Sequence, residues 1–136
     1  MTESNGNGFL SRDALLKRTE RVIAEVEIPG AGKVRIRSLT EGERARYEAS
    51  LQDRQGRLDS KKSQQLRARL IALCLVDAKG HCEFHEADIP KLMKIDCRTS
   101  VAIHQACAKH NGFDDEDLEL MVKNSEETDG DDSPSV

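Results

Sequence analysis

The sequence predicts an α+β domain that is mostly α, in which an N-terminal β-hairpin packs on a bundle of about four to five helices between disordered termini. Apolar residues recur at every second position from Val22 to Ile28, as in a strand with one apolar face. The only long apolar run, residues 70–76, follows a stretch of good helix formers. The chain has 136 residues, enough for one domain with a modest core, which we place at residues 9–124.

The first part of the chain contains little that can fold locally. Residues 1–8 are polar and rich in Gly and Asn, which predicts disorder. Residues 9–16 then predict one short helical turn beginning near Ser11. Because such a turn is too short to be stable alone, we expect it to dock on another element or to stay mobile.

A β-hairpin is predicted over residues 21–37. Apolar side chains recur at every second position in residues 22–28 and again in residues 33–37, so each strand has one apolar face. Residues 29–32 contain Pro and two Gly and supply the turn. Acidic side chains on the first strand and basic ones on the second would pair and set the register. A lone hairpin is only marginally stable in water, so it must pack on helices or pair with another chain.

The central helix is predicted over residues 60–77, with Arg67 and Arg69 off its apolar side. The seven consecutive apolar residues near its end also fit a strand, but the helix-forming residues before them favour a helix. After a turn, residues 81–84 are predicted to be extended and to return Phe84 to the core. We therefore expect this helix to be covered on nearly all sides.

Capping signals predict four further helices. Thr40 and Glu43 form a capping-box pair. Asp88 precedes Pro90 in a first helical turn. Four acidic residues follow soon after Gly112, where a helix dipole would favour them. Together with apolar spacing, these signals predict helices over residues 40–53, 88–95, 97–110 and 114–123.

The net charge of −4 conceals an uneven distribution. Residues 1–111 carry 20 basic and 15 acidic side chains, whereas residues 112–136 carry one basic and ten acidic side chains. The basic residues are interspersed with acidic ones and aromatic residues make up only 3%, so we expect no nucleic-acid binding. The acidic stretch 125–136 is predicted to be disordered.

The composition also indicates the cellular compartment in which the protein is expected. No window approaches the ~18 apolar residues of a membrane span, and we expect neither a membrane segment nor a secretory signal. The four cysteines are therefore expected to stay reduced in the cytoplasm.

Two groups of His and Cys residues are the candidates for a metal site. Zinc needs four convergent nitrogen or sulfur ligands, and no Cys-x-x-Cys pair occurs. The outer two histidines of the second group point well apart on an ideal helix. We expect core cysteines, surface histidines, no metal and no cofactor, with a small regulatory nucleic-acid- or metal-binding module as an alternative. The groups are His81, Cys82 and His85, and His104, Cys107 and His110.

No arrangement of residues indicates an enzyme. Cys107 has histidines nearby in sequence, but no Gly-rich elbow or oxyanion loop accompanies it. Gly30 and Gly32 lie in a hairpin turn rather than between a strand and a helix, so they do not form a phosphate loop. We expect a protein that binds other proteins or itself, through apolar side chains that are spare or, alternatively, complete the core. These candidates are Tyr47, Leu51, Leu118, Met121 and Val122.

Several segments resemble, in order, the tail assembly chaperones of long-tailed phages and prophages. The similarity covers roughly residues 20–124. It consists of fold and capping patterns rather than catalytic signatures. The segments are Val34 to Arg44 after the first strand, Arg67 to Gly80, Phe84-x-x-x-Asp88, Lys91-Leu92, His110-Asn111-Gly112 and the acidic Asp114 to Glu119.

This resemblance implies a non-enzymatic protein that binds the tape measure protein and helps recruit tail tube subunits. Such a chaperone acts in the cytoplasm of the bacterial host and is absent from the mature virion. In many such phages a frameshift adds a C-terminal domain, for which the acidic end of this chain would be the attachment point. The hairpin edge would allow a homo-oligomer. A head–tail connector or another virion structural protein is the alternative within phages.

Overall fold

The computed structural model describes residues 8–113. The mostly α, α+β fold is confirmed, whereas the predictions of disordered termini and of a helix over 114–123 fall mainly or wholly outside the described residues. In chain order the elements are α1 (Arg12–Leu16), β1 (Ile23–Ile28), β2 (Gly32–Arg37), α2 (Glu41–Ser50), α3 (Ser60–Ser63), α4 (Leu66–Cys74), β3 (Leu75–Val76), a 3₁₀ turn (Glu86–Asp88), α5 (Ile89–Leu92) and α6 (Cys97–His110).

The predicted hairpin is present, and charge pairs lie across it. β1 and β2 pair antiparallel, with Glu25 opposite Arg35 and Glu27 opposite Lys33. The turn is closed by the N–H of Ala31, which donates to the carbonyl of Ile28 at 2.9 Å. Opposite charges on one face thus support the register that also turns the apolar side chains inward.

The sheet has a third strand that was not predicted. β3 pairs antiparallel with β2, on the side away from β1. The helix predicted over 60–77 is therefore wrong at both ends: α3 and α4 are separate helices, and the chain becomes extended at Leu75. The last part of the apolar run leaves the helix because it fills the otherwise open edge of β2, where its backbone groups gain partners.

The remaining helix predictions differ mainly at their ends. The helix predicted over 40–53 is α2, and Thr40 caps it through the expected capping box. The helix predicted over 97–110 is confirmed as α6. The helix predicted over 88–95 is shorter, because a 3₁₀ turn precedes it and α5 ends at Leu92.

The core lies between one face of the sheet and helices α2, α4, α5 and α6. Among the helices, α4 and α6 contact each other most extensively. Phe84 packs against this core from the predicted extended piece. No helix within residues 8–113 is long and apolar enough to cross a membrane. The largest fully enclosed side chains are Ile36, Tyr47, Leu51, Leu70, Ile71, Cys74 and Cys107.

Candidate functional site

The two predicted partner-contact residues of α2 lie in the core. Tyr47 and Leu51 are only 1% and 0% exposed. The hydroxyl of Tyr47 donates to the carbonyl of Leu66 at 3.2 Å, and its ring stacks with that of Phe113 at 6.2 Å between centroids. Tyr47 and Leu51 therefore complete the core, which is the alternative expected from the sequence, and are not spare; Leu66 of α4 and Phe113 after α6 contact Tyr47. The other three candidates, Leu118, Met121 and Val122, lie outside the described residues.

Burial changes the chemistry of the Tyr47 phenol. Its pKa is raised well above the ordinary value, chiefly because the charged phenolate would lose its solvation inside the core. The hydroxyl thus stays protonated and acts as a hydrogen-bond donor that joins α2 to α4.

Glu43 connects the start of α2 to the hairpin. Its carboxylate accepts from the Thr40 backbone N–H at 2.9 Å and from Arg21 Nη2 at 2.8 Å. Arg37 Nη2 lies 3.7 Å away. Burial raises the pKa of Glu43, but the Thr40 N–H and the guanidinium groups of Arg37 and Arg21 together lower it more, so the net shift is downward.

A surface pocket of about 340 Å³ lies between α2, α4 and the segment that leads into α5. We call it the Arg69 pocket. Its volume is at the lower end of the ~300–1,000 Å³ typical of ligand pockets. Charged residues also line it, among them Glu43, Arg46, Arg69 and Glu86. Its apolar lining consists of Tyr47, Ala72, Leu73, Phe84 and Ile89.

Arg69 is the pocket residue whose polar groups are least satisfied. Its side chain is only 15% exposed, and its Nη1 lies 3.9 Å from the carboxylate of Glu86, which is itself 84% exposed. Its Nη2 donates to the neutral amide of Gln65 at 2.9 Å. Its Nε is enclosed and has no hydrogen-bond partner within residues 8–113. Among these described residues, the largely buried guanidinium thus has no close carboxylate, which is costly in a folded protein.

The sequence analysis missed this site because it placed Arg67 and Arg69 together off the apolar face of the helix. Arg67 is indeed exposed, whereas Arg69 is covered by the pocket wall that carries Phe84 and Glu86. The only sequence signal was a basic residue flanked by Ala68 and Leu70 within an otherwise apolar stretch.

Exposed apolar side chains are concentrated near the start of the described chain. Of the eight large hydrophobic residues that are exposed within residues 8–113, six fall within residues 9–23, a span that we call the N-terminal apolar segment. Within this segment Ala14 of α1 is buried, whereas the large apolar side chains around it are exposed. Such a concentration of apolar surface is typical of interaction sites. The six residues are Phe9 (68% exposed), Leu10 (54%), Leu15 (57%), Leu16 (59%), Val22 (60%) and Ile23 (47%).

The two His and Cys groups do not form a metal site within residues 8–113, where no three potential ligands converge. His104 is 7% exposed, so the prediction of a surface histidine is wrong for this residue. It lies on the buried side of α6 with Ile103, Cys107 and Ala108. His110 instead approaches the carbonyl of Val22 through Nε2 at 2.8 Å.

The cysteines are free thiols, and two of them are buried. Contact with the Cys74 thiol, followed by burial, raises the pKa of Cys107. A thiol with a raised pKa is a poor nucleophile. Cys107 therefore serves packing between α4 and α6.

Comparison with known proteins returned no match, whether to a family model, a curated protein or a solved structure. The function must therefore be inferred from the surfaces described above and from the order of segments along the chain.

Proposed function

We propose that this protein is a non-enzymatic tail assembly chaperone of a long-tailed phage or prophage. It binds the tape measure protein in the cytoplasm of the bacterial host, helps recruit tail tube subunits and is absent from the mature virion. The observation that carries this function is the N-terminal apolar segment, whose large side chains remain in water although the rest of the described chain buries a well-packed core. A chaperone needs such a surface to cover apolar stretches of its client.

The composition of the segment suits reversible binding. Leu15 and Leu16 are exposed on α1, and the charged residues Arg12, Asp13 and Arg18 lie beside them in sequence. An apolar client helix can bury its stripe against the leucines while the charges keep the complex in solution. Ala14 of α1 is buried, so α1 is held on one side while its exposed leucines remain available to a client.

A homo-oligomer would form through these apolar side chains rather than through β1. β1 is an edge strand of the described sheet, and the N–H of Ser38 donates to the carbonyl of Val22, so the backbone groups of Glu25 and Glu27 point to the open edge. In the two registers with greatest overlap, two copies of β1 would place Glu25 opposite Glu25 or Glu27 of the other copy. Like charges in that position destabilise the pairing.

The test is co-expression with the tape measure protein encoded in the same phage genome. We expect its soluble fraction to rise when the full chain is present, and to rise much less with the Leu15→Ser, Leu16→Ser double variant. Arg18→Ser, an exposed change in the same segment, is the matched control and should behave as wild type.

Two results would contradict this function. One is a soluble fraction of tape measure protein that is the same with and without the chain. The other is retention of the chain in purified virions, detected by mass spectrometry, which would favour the head–tail connector or another structural role.

A further inference from the structure

We propose that the Arg69 pocket binds a carboxylate side chain of a partner segment that also carries a neighbouring apolar side chain. The partner is thus an acidic, amphipathic stretch of polypeptide. This site deepens the proposed function, because the stretch would belong to the client that the N-terminal apolar segment covers. The two surfaces are linked through Arg21, which precedes Val22 and binds Glu43 at the pocket wall.

The apolar lining sets the first requirement on the ligand. Tyr47, Leu73, Phe84 and Ile89 give the pocket two aromatic and two branched aliphatic walls. Its volume of about 340 Å³ suits one or two side chains of a docked peptide rather than a larger ligand. An aliphatic side chain of the partner would leave water by contacting these walls.

The charge of Arg69 sets the second requirement. Among the described residues, Glu86 is the carboxylate nearest to its Nη1, but at 3.9 Å and 84% exposure it stabilises the guanidinium little. Glu43 also lines the pocket, but its carboxylate accepts from Arg21 and from the Thr40 N–H. A ligand carboxylate brought to the pocket would form the close, charge-assisted hydrogen bonds that Arg69 lacks.

The same lining disfavours a phosphate group. Glu43 and Glu86 both line the pocket and would repel a doubly charged group. Phosphate sites usually combine several cationic or backbone donors, whereas here one guanidinium is largely buried beside apolar walls. A singly charged carboxylate next to an aliphatic side chain fits both the charge of Arg69 and the apolar walls of the pocket.

The experiment uses the full chain and two synthetic helical peptides. One peptide has a Leu and Ala stripe flanked by Glu, and in the other every Glu is replaced by Gln. Binding is measured by fluorescence anisotropy, and the Arg69 Nε–H resonance is followed by NMR. We expect the Glu peptide to bind at least about tenfold more tightly, the range of one charge-assisted hydrogen bond. We also expect it alone to shift the Arg69 resonance.

Substitutions test whether peptide binding depends on Arg69 in the pocket or on the overall charge of the chain. Arg69→Met keeps an unbranched apolar stem and should remove the preference for Glu over Gln. Arg67→Met removes the same charge two residues away on α4 and should preserve that preference. Arg69→Lys should restore part of it, because it keeps the charge without the planar fork.

Two outcomes would overturn this site. Equal affinity for the two peptides would remove the role of the carboxylate, and an unchanged preference in Arg69→Met would place binding elsewhere. If solubilisation of the tape measure protein is observed while these peptide tests fail, the site is wrong and the chaperone function stands.

Discussion

Replacing Glu43 by Gln tests whether one carboxylate holds the start of α2 to the hairpin. Gln can still accept from the Thr40 N–H and so preserve the capping box. What it removes is the charge that faces Arg21 at 2.8 Å and Arg37 at 3.7 Å. The experiment therefore isolates the pairing with the two guanidinium groups from the capping of the helix.

The expected loss of stability in Glu43→Gln lies between the values for exposed and buried ion pairs. Exposed pairs contribute less than ~1 kcal/mol, and breaking a buried pair costs ~3–5 kcal/mol. The Glu43 side chain is 13% exposed and that of Arg21 is 31% exposed, so we expect Glu43→Gln to lower the free energy of unfolding by about 1–2 kcal/mol. Glu43→Ala also loses the cap and should cost about 1 kcal/mol more.

The assay is urea unfolding as a function of pH, since urea adds no ions that would screen the pairs. The folded-state pKa of Glu43 is lowered, below the ~4.3 of an unfolded Glu. Its contribution to stability is therefore fully present above about pH 4.3 and is lost as the pH falls through the folded-state pKa. Wild type and Glu43→Gln should differ at neutral pH and converge in acid.

Glu41→Gln is the matched control for this experiment. Glu41 is exposed in the first turn of α2, where it interacts only with the helix dipole, and its loss should cost at most about 0.5 kcal/mol. If Glu43→Gln were no more destabilising than Glu41→Gln, or if its effect were the same in acid and at neutral pH, the proposed pairing would be refuted.

Three further predictions concern groups inside the fold. Asn111→Ala removes the oxygen that accepts from the Leu39 N–H at 2.6 Å, and should lower the free energy of unfolding in urea by about 2–3 kcal/mol. Tyr47 is the only tyrosine and burial raises its pKa. Its neutral form therefore stabilises the fold below about pH 10, and phenolate absorbance should appear only together with alkaline unfolding. A thiol reagent should modify the exposed Cys97 quickly and the buried Cys107 only after unfolding.

Each of these three predictions has a result that would contradict it. Gln105→Ala, an exposed change on α6, should leave stability unchanged, and an equal effect of Asn111→Ala would mean that the Leu39 contact contributes nothing. Reversible phenolate formation near pH 10 in the folded protein would show that Tyr47 is accessible to solvent. Equal rates of modification of Cys97 and Cys107 would show that the interface between α4 and α6 is accessible to solvent.

Local signals predicted much of the fold because several elements are determined by neighbouring residues. Thr40 and Glu43 cap α2 within one turn, and charge alternation sets the hairpin register. The prediction of one central helix was wrong because the end of that helix depends on a strand that is distant in sequence. Val76 pairs opposite Arg35, and only the completed sheet makes an extended backbone better than another helical turn there.

The candidate site depended even more on contacts between distant parts of the chain. Tyr47 and Leu51 have the spacing of a spare apolar stripe, yet both are buried in the core. Arg69 has the spacing of a solvated residue, yet the return of Phe84 and Glu86 covers it. Both errors have one cause, because helical periodicity gives the face on which a residue lies but not what packs there.

Arg69→Met distinguishes a functional cation from a structural one. It removes one charged hydrogen bond to Gln65, worth ~1.5–3 kcal/mol, and also a buried donor whose desolvation costs ~1–3 kcal/mol. Because these terms nearly cancel, we expect the free energy of unfolding in urea to stay within about 1 kcal/mol of wild type. A loss above about 2 kcal/mol would make Arg69 a structural residue. An unchanged stability would mean that the fold gains nothing from this cation, as expected for a residue that serves ligand binding.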